Sequence, residues 1–114
     1  MKIVTKGQAK SFKNGKCCEA MEYQMGDKDI NGTVIKLAGR YPETGEVVNN
    51  ICKEMAYVIK GSGKVVVESK QFDISAGDLI LVEPGEKYYW EGKMVMFVPC
   101  APAWYPEQHK EVGG

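Results

Sequence analysis

Along most of its length the chain sets apolar and polar residues in alternation, the two-residue period of strands that bury one face. In "CEAMEYQM" the apolar Met21, Tyr23 and Met25 alternate with Glu22 and Gln24, which predicts a strand turning its apolar set toward the core. "TVIKLAG", "EMAYVIKG", "KVVVES", "QFDI", "DLILVE", "KYYWE" and "MVMFVPC" read as further strands. The segments between them, "GDKDING", "YPETGE", "GSG", "ESK", "SAGD", "PGE" and "EGK", supply glycine, proline or short polar pairs where a chain reverses. The Gly-Ser-Gly of "YVIKGSGKVVV" predicts a tight hairpin turn, and Ala76-Gly77-Asp78 and Pro84-Gly85-Glu86 predict two more reversals. No long amphipathic helix, repeat, linker or low-complexity tract interrupts the pattern. Strands at this spacing with short turns predict an all-β sandwich or closed barrel.

Length and charge narrow the partners. A chain of 114 residues is one domain by size. Lysine plus arginine equals aspartate plus glutamate at 15 each, so no net field draws the chain to phosphate backbones, and nucleic acid is not an expected partner. "MKIVTKGQAKSF" lacks the apolar core of a signal peptide, and no stretch approaches the roughly 18 apolar residues that span a bilayer. The expectation is a soluble cytoplasmic protein with no membrane partner. Cys17 and Cys18 are adjacent and Cys52 and Cys100 stand alone, with no CxxC spacing, which predicts free thiols rather than a disulfide framework.

The most specific spacing is that of "EMAYVIKGSGKV", where six residues separate Glu54 from Gly61, and of "GDLILVEPGEKYYW", where five residues after Gly77 lead into Glu83-Pro84-Gly85. The region from Gly39 to Cys100 resembles the cupin family. In that family a first motif of glycine, His-x-His, three or four residues, glutamate, six residues and glycine is followed by a second of glycine, five residues, Pro-x-Gly, two residues and histidine. The resemblance implies an all-β double-stranded β-helix, the jelly-roll or cupin barrel. It divides the single domain, 1–114, into N-terminal strands over 1–38, a motif core over 39–100 and a C-terminal extension over 101–114. It also implies a homodimer through sheet edges, to which the apolar "MEYQM" and "MVMFVPC" add exposed strand surface.

The family's histidines are missing. Its first two ligands fall on Val47 and Asn49, or on Val48 and Asn50 in the other register, and its last falls on Tyr88; only the acid, Glu54, remains. One carboxylate with an amide and a phenol is a poor transition-metal set, so no metal and no cofactor are expected. A metal site would need unusual ligands such as Cys52, Cys100 or His109, and His109, near a charged glycine-ended terminus, is expected in solvent. Asn49 and Asn50 also read as a turn, and Cys52 and Cys100 as small core residues.

With Glu54 inward, strand alternation sends Cys52, Ala56 and Val58 inward and Tyr57 outward; with Tyr88 inward it brings in Glu86 and Trp90 and turns Tyr89 out. The candidate pocket is therefore Asn49, Cys52, Glu54, Tyr88 and Trp90, suited to a small polar ligand, with the indole stacking and Glu54 and Tyr88 fixing hydroxyl or amine groups. Two readings stand. One is metal-independent binding of a small molecule such as a sugar or small organic acid. The other is an enzyme of the sugar isomerase, epimerase or lyase kind, with Glu54 and Tyr88 as catalytic acid and base. An enzyme calls for a polar cluster deep in the pocket, whereas a binder tolerates a mostly apolar one. In "VPCAPAWYPEQH", Trp104 and Tyr105 are expected to protect a sheet edge or meet a second copy, in preference to closing the barrel mouth as a lid.

Overall fold

The computed structural model describes residues 1–113; Gly114, the last residue of the expected domain, lies outside the described residues. Nine strands form one curled antiparallel sheet of the jelly-roll kind: β1 (Lys10–Lys13), β2 (Cys18–Tyr23), β3 (Asn31–Tyr41), β4 (Glu46–Asn49), β5 (Lys53–Val67), β6 (Lys70–Ser75), β7 (Leu79–Val82), β8 (Lys87–Ala101) and β9 (His109–Val112). Two 3-10 turns, Lys6–Gln8 and Pro106–Gln108, are the only helical segments among the described residues, and no helix there is long and apolar enough to cross a membrane. β8 is the hub. It pairs with β3 and then β4 along one edge and with β5 along the other.

The two 15-residue strands, β5 and β8, each absorb a segment that the sequence marks as a reversal. Gly61-Ser62-Gly63 and Glu91-Gly92-Lys93 are not turns. They lie opposite one another, Gly61 against Met94 and Gly63 against Gly92, after a register shift between Val58 and Lys60. A Cβ on Gly61, at φ +89°, would run into the Lys93 carbonyl, and one on Gly92 into the Gly63 backbone. Glycine here permits two bent strands to touch, which leaves the same signature in a sequence as a turn does. The reversal between β5 and β6 is the one expected at "ESK", with Glu68 and Ser69 both left-handed at φ 49° and 66°, the two-residue turn that matches strand twist. The expected turns at Gly77 and Gly85 are present, at φ +96° and +87°, and are tied by Asp78 to the Ser75 amide and by Glu86 to the Glu83 amide. Gly61→Ala combines a strained φ with an overlap and should destabilise by about 2–5 kcal/mol in chemical denaturation; a loss below about 1 kcal/mol would contradict the close-approach reading.

Alternation holds along β5, where Glu54, Ala56 and Val58, together with Cys52 just before the strand, are buried while Lys53, Met55, Tyr57 and Ile59 face out. Cys52, Ala56 and Val58 form the core with Leu37, Val47, Val65, Val82, Met94, Met96 and Val98, each large apolar side chain contributing about 1.5–3 kcal/mol. Tyr89 faces out beneath Arg40, whose guanidinium lies 3.8 Å from its ring centre. Glu86, expected to follow Tyr88 inward, precedes β8 and caps a turn instead.

On β2 the expected face is reversed. Cys18 and Ala20 are buried, and Glu22 and Gln24 follow them toward the interior, while Met21 stands opposite Val34 on the outer side. The inner side of this strand borders a cavity rather than packed core, and polar side chains suit it. The strands β1, β4 and β9 were not legible in the alternation. β9 pairs with β4, placing His109 opposite Asn49, so the expected C-terminal extension closes one end of the sheet.

Candidate functional site

A cavity of about 560 Å³ opens inside the curl of the sheet, within the usual range for small-molecule sites. Ala20 and Glu22 from β2, Thr33 and Ile35 from β3, and Trp90, Met96 and Val98 from β8 form its walls. Glu54, Tyr88 and Trp90 all line it, because the parity of β5 and β8 turns all three inward. Trp104, Tyr105 and Pro106 line it as well, so the C-terminal segment lies over the cavity instead of only guarding an edge. Asn49 and Cys52 are fully buried behind it: Asn49 supports the cavity wall, while the Cys52 thiol turns toward the Ala103 carbonyl, 4.0 Å away.

The polar centre is Glu54. Its Oε1 accepts from Asn49 Nδ2 (3.3 Å) and the Cys100 thiol (3.8 Å), and its Oε2 accepts from the Tyr88 hydroxyl (3.3 Å). Asn49 Nδ2 also donates to the Tyr88 oxygen at 3.1 Å. Burial pushes the Glu54 carboxyl above its ordinary range against the pull of these three donors. Burial together with the facing Glu54 charge holds the Tyr88 phenol and the Cys100 thiol high, and both stay protonated as donors. Tyr88 and Trp90 meet edge to face with ring centres 6.1 Å apart.

A second polar unit was not foreseen. His109, expected in solvent, sits with Nδ1 2.8 Å from Asn49 Oδ1 and Nε2 3.0 Å from the Tyr41 hydroxyl. Its ring stacks on Tyr41 at 6.4 Å and leans on Trp104 at 5.5 Å. The orientation of every member follows from two backbone amides. Gln108 Oε1 accepts from the N–H groups of Ile51 and Cys52, both at 3.1 Å, so its Nε2 faces Asn49 Oδ1 and donates to it at 2.9 Å. Asn49 is thereby fixed with oxygen toward His109 and nitrogen toward Glu54. Facing an acceptor, His109 Nδ1 carries the proton, and Nε2 of the neutral ring accepts from Tyr41. Burial lowers the imidazole below its usual range, partly countered by Glu111, and raises the Tyr41 phenol, with the Cys18 and Glu54 charges adding to the rise. Every buried side-chain polar atom among the described residues has a partner.

These donors do not suit a transition metal. The Glu54 oxygens already accept three hydrogen bonds, its nearest polar neighbours Asn49 and Tyr88 are an amide and a phenol, and the single histidine is separated from Glu54 by Asn49. Among the described residues no three His, Cys, Asp or Glu side chains cluster as ligands. What the arrangement holds is two proton-handling units, Glu54 with Tyr88 and His109 with Tyr41, joined through one amide and open to one cavity. Two side chains carried a sequence signal, by spacing from Gly61 and Gly77. Tyr41, Gln108 and His109 carried none that a single sequence displays.

The family model of the EutQ-like cupin domain matches residues 31–97, more than half of the chain. No curated protein matches the sequence. Among solved structures, Pac13, described as a unique nucleoside dehydratase, superposes with a TM-score of 0.89 at 22% identity over 96% of this chain and 89% of its own. A histidine-to-glutamine variant of Streptomyces PAC13 with uridine gives 0.88 at 23% identity over 97% and 90%. KdgF from a Halomonas species gives 0.68 at 13% identity over 88% and 94%. At these identities the likeness shows the fold alone.

Proposed function

The chain belongs to the EutQ-like cupin domain family, and from that premise we propose that its cavity binds a small hydroxyl-bearing molecule and performs metal-independent acid–base chemistry on it, as a lyase or isomerase does. Family membership alone supplies no chemistry. The observation that carries the reading is the deep polar network itself, two proton-handling units fixed in orientation and facing one cavity. The rest of the lining is mostly apolar, Phe12, Ile35, Met96 and Val98 among it, and that part of the cavity suits binding without turnover as well.

The roles follow from the hydrogen bonds. Neutral His109 accepts a hydrogen bond from the Tyr41 hydroxyl at Nε2. With the phenol raised and the imidazole lowered by burial, Tyr41 is protonated at rest, and its oxygen takes a substrate proton only as its own proton passes to Nε2 in the same step. Glu54, raised by burial, carries a proton at higher pH than an ordinary carboxyl and can deliver it to a leaving hydroxyl; the carboxylate formed is held by Asn49, Tyr88 and Cys100. Trp90 and Trp104 offer flat apolar surface for a ring. With Glu22 and Glu54 both in the lining and Lys13 its one lysine, a neutral polyol such as a sugar or nucleoside fits better than an organic acid. Pac13 is described as a unique nucleoside dehydratase and a variant of PAC13 is described with uridine, which supports trying nucleosides first. Incubating the protein with nucleosides, aldoses and sugar acids should produce loss of one water or an isomer from one class, seen by mass spectrometry and NMR. A ligand that raises the melting temperature and is returned unchanged would favour the second reading, a binding domain.

The proposal extends to assembly and location. Met21, Val34, Phe97, Tyr57 and Leu79 lie in one register row across β2, β3, β8, β5 and β7, and Phe97, Tyr57 and Leu79 are exposed at 42%, 45% and 60%. With net charge zero opposing nothing, a second copy is the expected cover, as a homodimer. Light scattering at micromolar concentration should give the mass of two chains, and Tyr57→Glu should give one; a monomer from the unaltered chain would overturn this. Four free thiols support a reducing compartment such as the cytoplasm.

A further inference from the structure

We infer that the chain carries a second binding site, separate from the Glu54 cavity, for an organic anion with an apolar body and a phosphate or carboxylate head. A concavity of about 550 Å³ lies across β2, β3, β8 and β5, and five lysines line it, Lys13, Lys16, Lys36, Lys60 and Lys93, against one carboxylate, Glu19. The grouping is built by strand register. Lys13 stands opposite Glu19, Glu19 opposite Lys36, Lys36 opposite Val95 and Val95 opposite Lys60, so one row crosses five strands. The irregularity between Val58 and Lys60 is what puts Lys60 into this row, since strict alternation from buried Val58 would have turned it inward.

Three features separate this from an ordinary solvated face. The chain as a whole balances at 15 cationic and 15 acidic side chains, yet a third of the cations gather here with a single acid. The two ion pairs among the described residues, Lys53–Glu83 and Lys64–Glu91, involve none of the five. The floor between them is apolar, with exposed Ala38 and half-buried Val95 at the surface, the aliphatic stems of the lysines beside them and the core side chains Leu37 and Met94 beneath. Like charges held together over apolar surface repel one another until an anion joins them, and an apolar body on that anion would cover the floor. The head accounts for the lysines and the body for the floor; neither inorganic phosphate nor a neutral apolar molecule uses both.

The test titrates hexyl phosphate, hexanoate, hexanol and inorganic phosphate into the full chain by NMR, with Lys36→Glu/Lys60→Glu as the altered site. Both lysines are exposed, so the variant should keep the fold, checked by its melting curve. The expected result is that at least one of the two amphipathic anions binds, shifts the amides of β2, β3 and β8 around Lys36, Leu37 and Val95, and binds about tenfold more weakly to the variant and at high salt. The stronger of the two identifies the head group. Glu54→Gln should leave this binding unchanged even if the catalytic proposal fails. No shift with either anion, equal binding of hexanol or inorganic phosphate, or unchanged binding by the variant would each overturn the inference.

Discussion

Glu54→Gln should give a protein that is more stable than the original at neutral pH and nearly inactive. The carboxyl is buried and its pKa is raised above the ordinary value of 4.5, chiefly by desolvation. A group raised in this way supports the fold fully below its unfolded pKa, and that support is lost as pH rises through the folded value. The melting temperature of the original chain should therefore carry a decline above about pH 4.5 that glutamine, with nothing to titrate, removes. The amide keeps part of the network: its oxygen takes the bonds from Asn49 and Cys100 and its nitrogen donates to the Tyr88 oxygen. The buried Tyr88 hydroxyl loses its acceptor, a cost of about 1–3 kcal/mol that the gain from removing a buried charge at neutral pH exceeds. Turnover should fall by about 10²–10⁴, the range for losing a positioned acid. A variant less stable at pH 8 than at pH 4 relative to the original would contradict the buried-acid account; undiminished turnover would contradict the catalytic one.

His109→Phe should be the other large effect. Phenylalanine keeps the ring against Tyr41 and Trp104 but removes both nitrogens, so Asn49 Oδ1 keeps only Gln108 and the Tyr41 hydroxyl loses its acceptor. The expected cost is about 1–3 kcal/mol of stability for the orphaned groups and about 10²–10⁴ in rate. The pH dependence distinguishes the roles. Burial lowers the imidazole below 6.5, so its contribution to stability is present above the unfolded pKa and is lost as pH falls through the folded value. The rate should fall over the same acid interval, below pH 6.5, and that limb should vanish in the variant. A variant that loses stability and keeps the acid limb would make His109 structural only.

How much of this the sequence displayed depends on distance along the chain. Glu54 and Tyr88 were legible because each sits at a fixed count from a turn glycine, and period two then placed Trp90, Ala56 and Val58 correctly. Glu22 and Gln24 were placed outward because alternation marks two faces without saying which is inner, and on β2 the inner face borders a cavity. Gly61-Ser62-Gly63 read as a turn because close backbone contact and positive φ demand the same residue. His109 was named only as an unusual metal ligand and expected in solvent, and its place beside Asn49 was not legible. It reaches Asn49 only through the pairing of β4 with β9, a contact across 60 residues that no local pattern records. Gln108, whose orientation is set by the Ile51 and Cys52 amides, depends on the same closure.

The central claim is that Glu54 is a buried acid held at the cavity by Asn49, Tyr88 and Cys100, and one measurement reaches it without knowledge of the substrate. Carboxyl-carbon NMR of the chain labelled at glutamate, with Glu54 assigned by its loss in Glu54→Gln, reports the titration of that single group. The account predicts a midpoint above the ordinary 4.5 that moves again when Tyr88→Phe removes one donor, upward because the carboxylate loses a hydrogen bond. A Glu54 signal that titrates like a surface glutamate, unmoved by the loss of the Tyr88 hydroxyl, would contradict it.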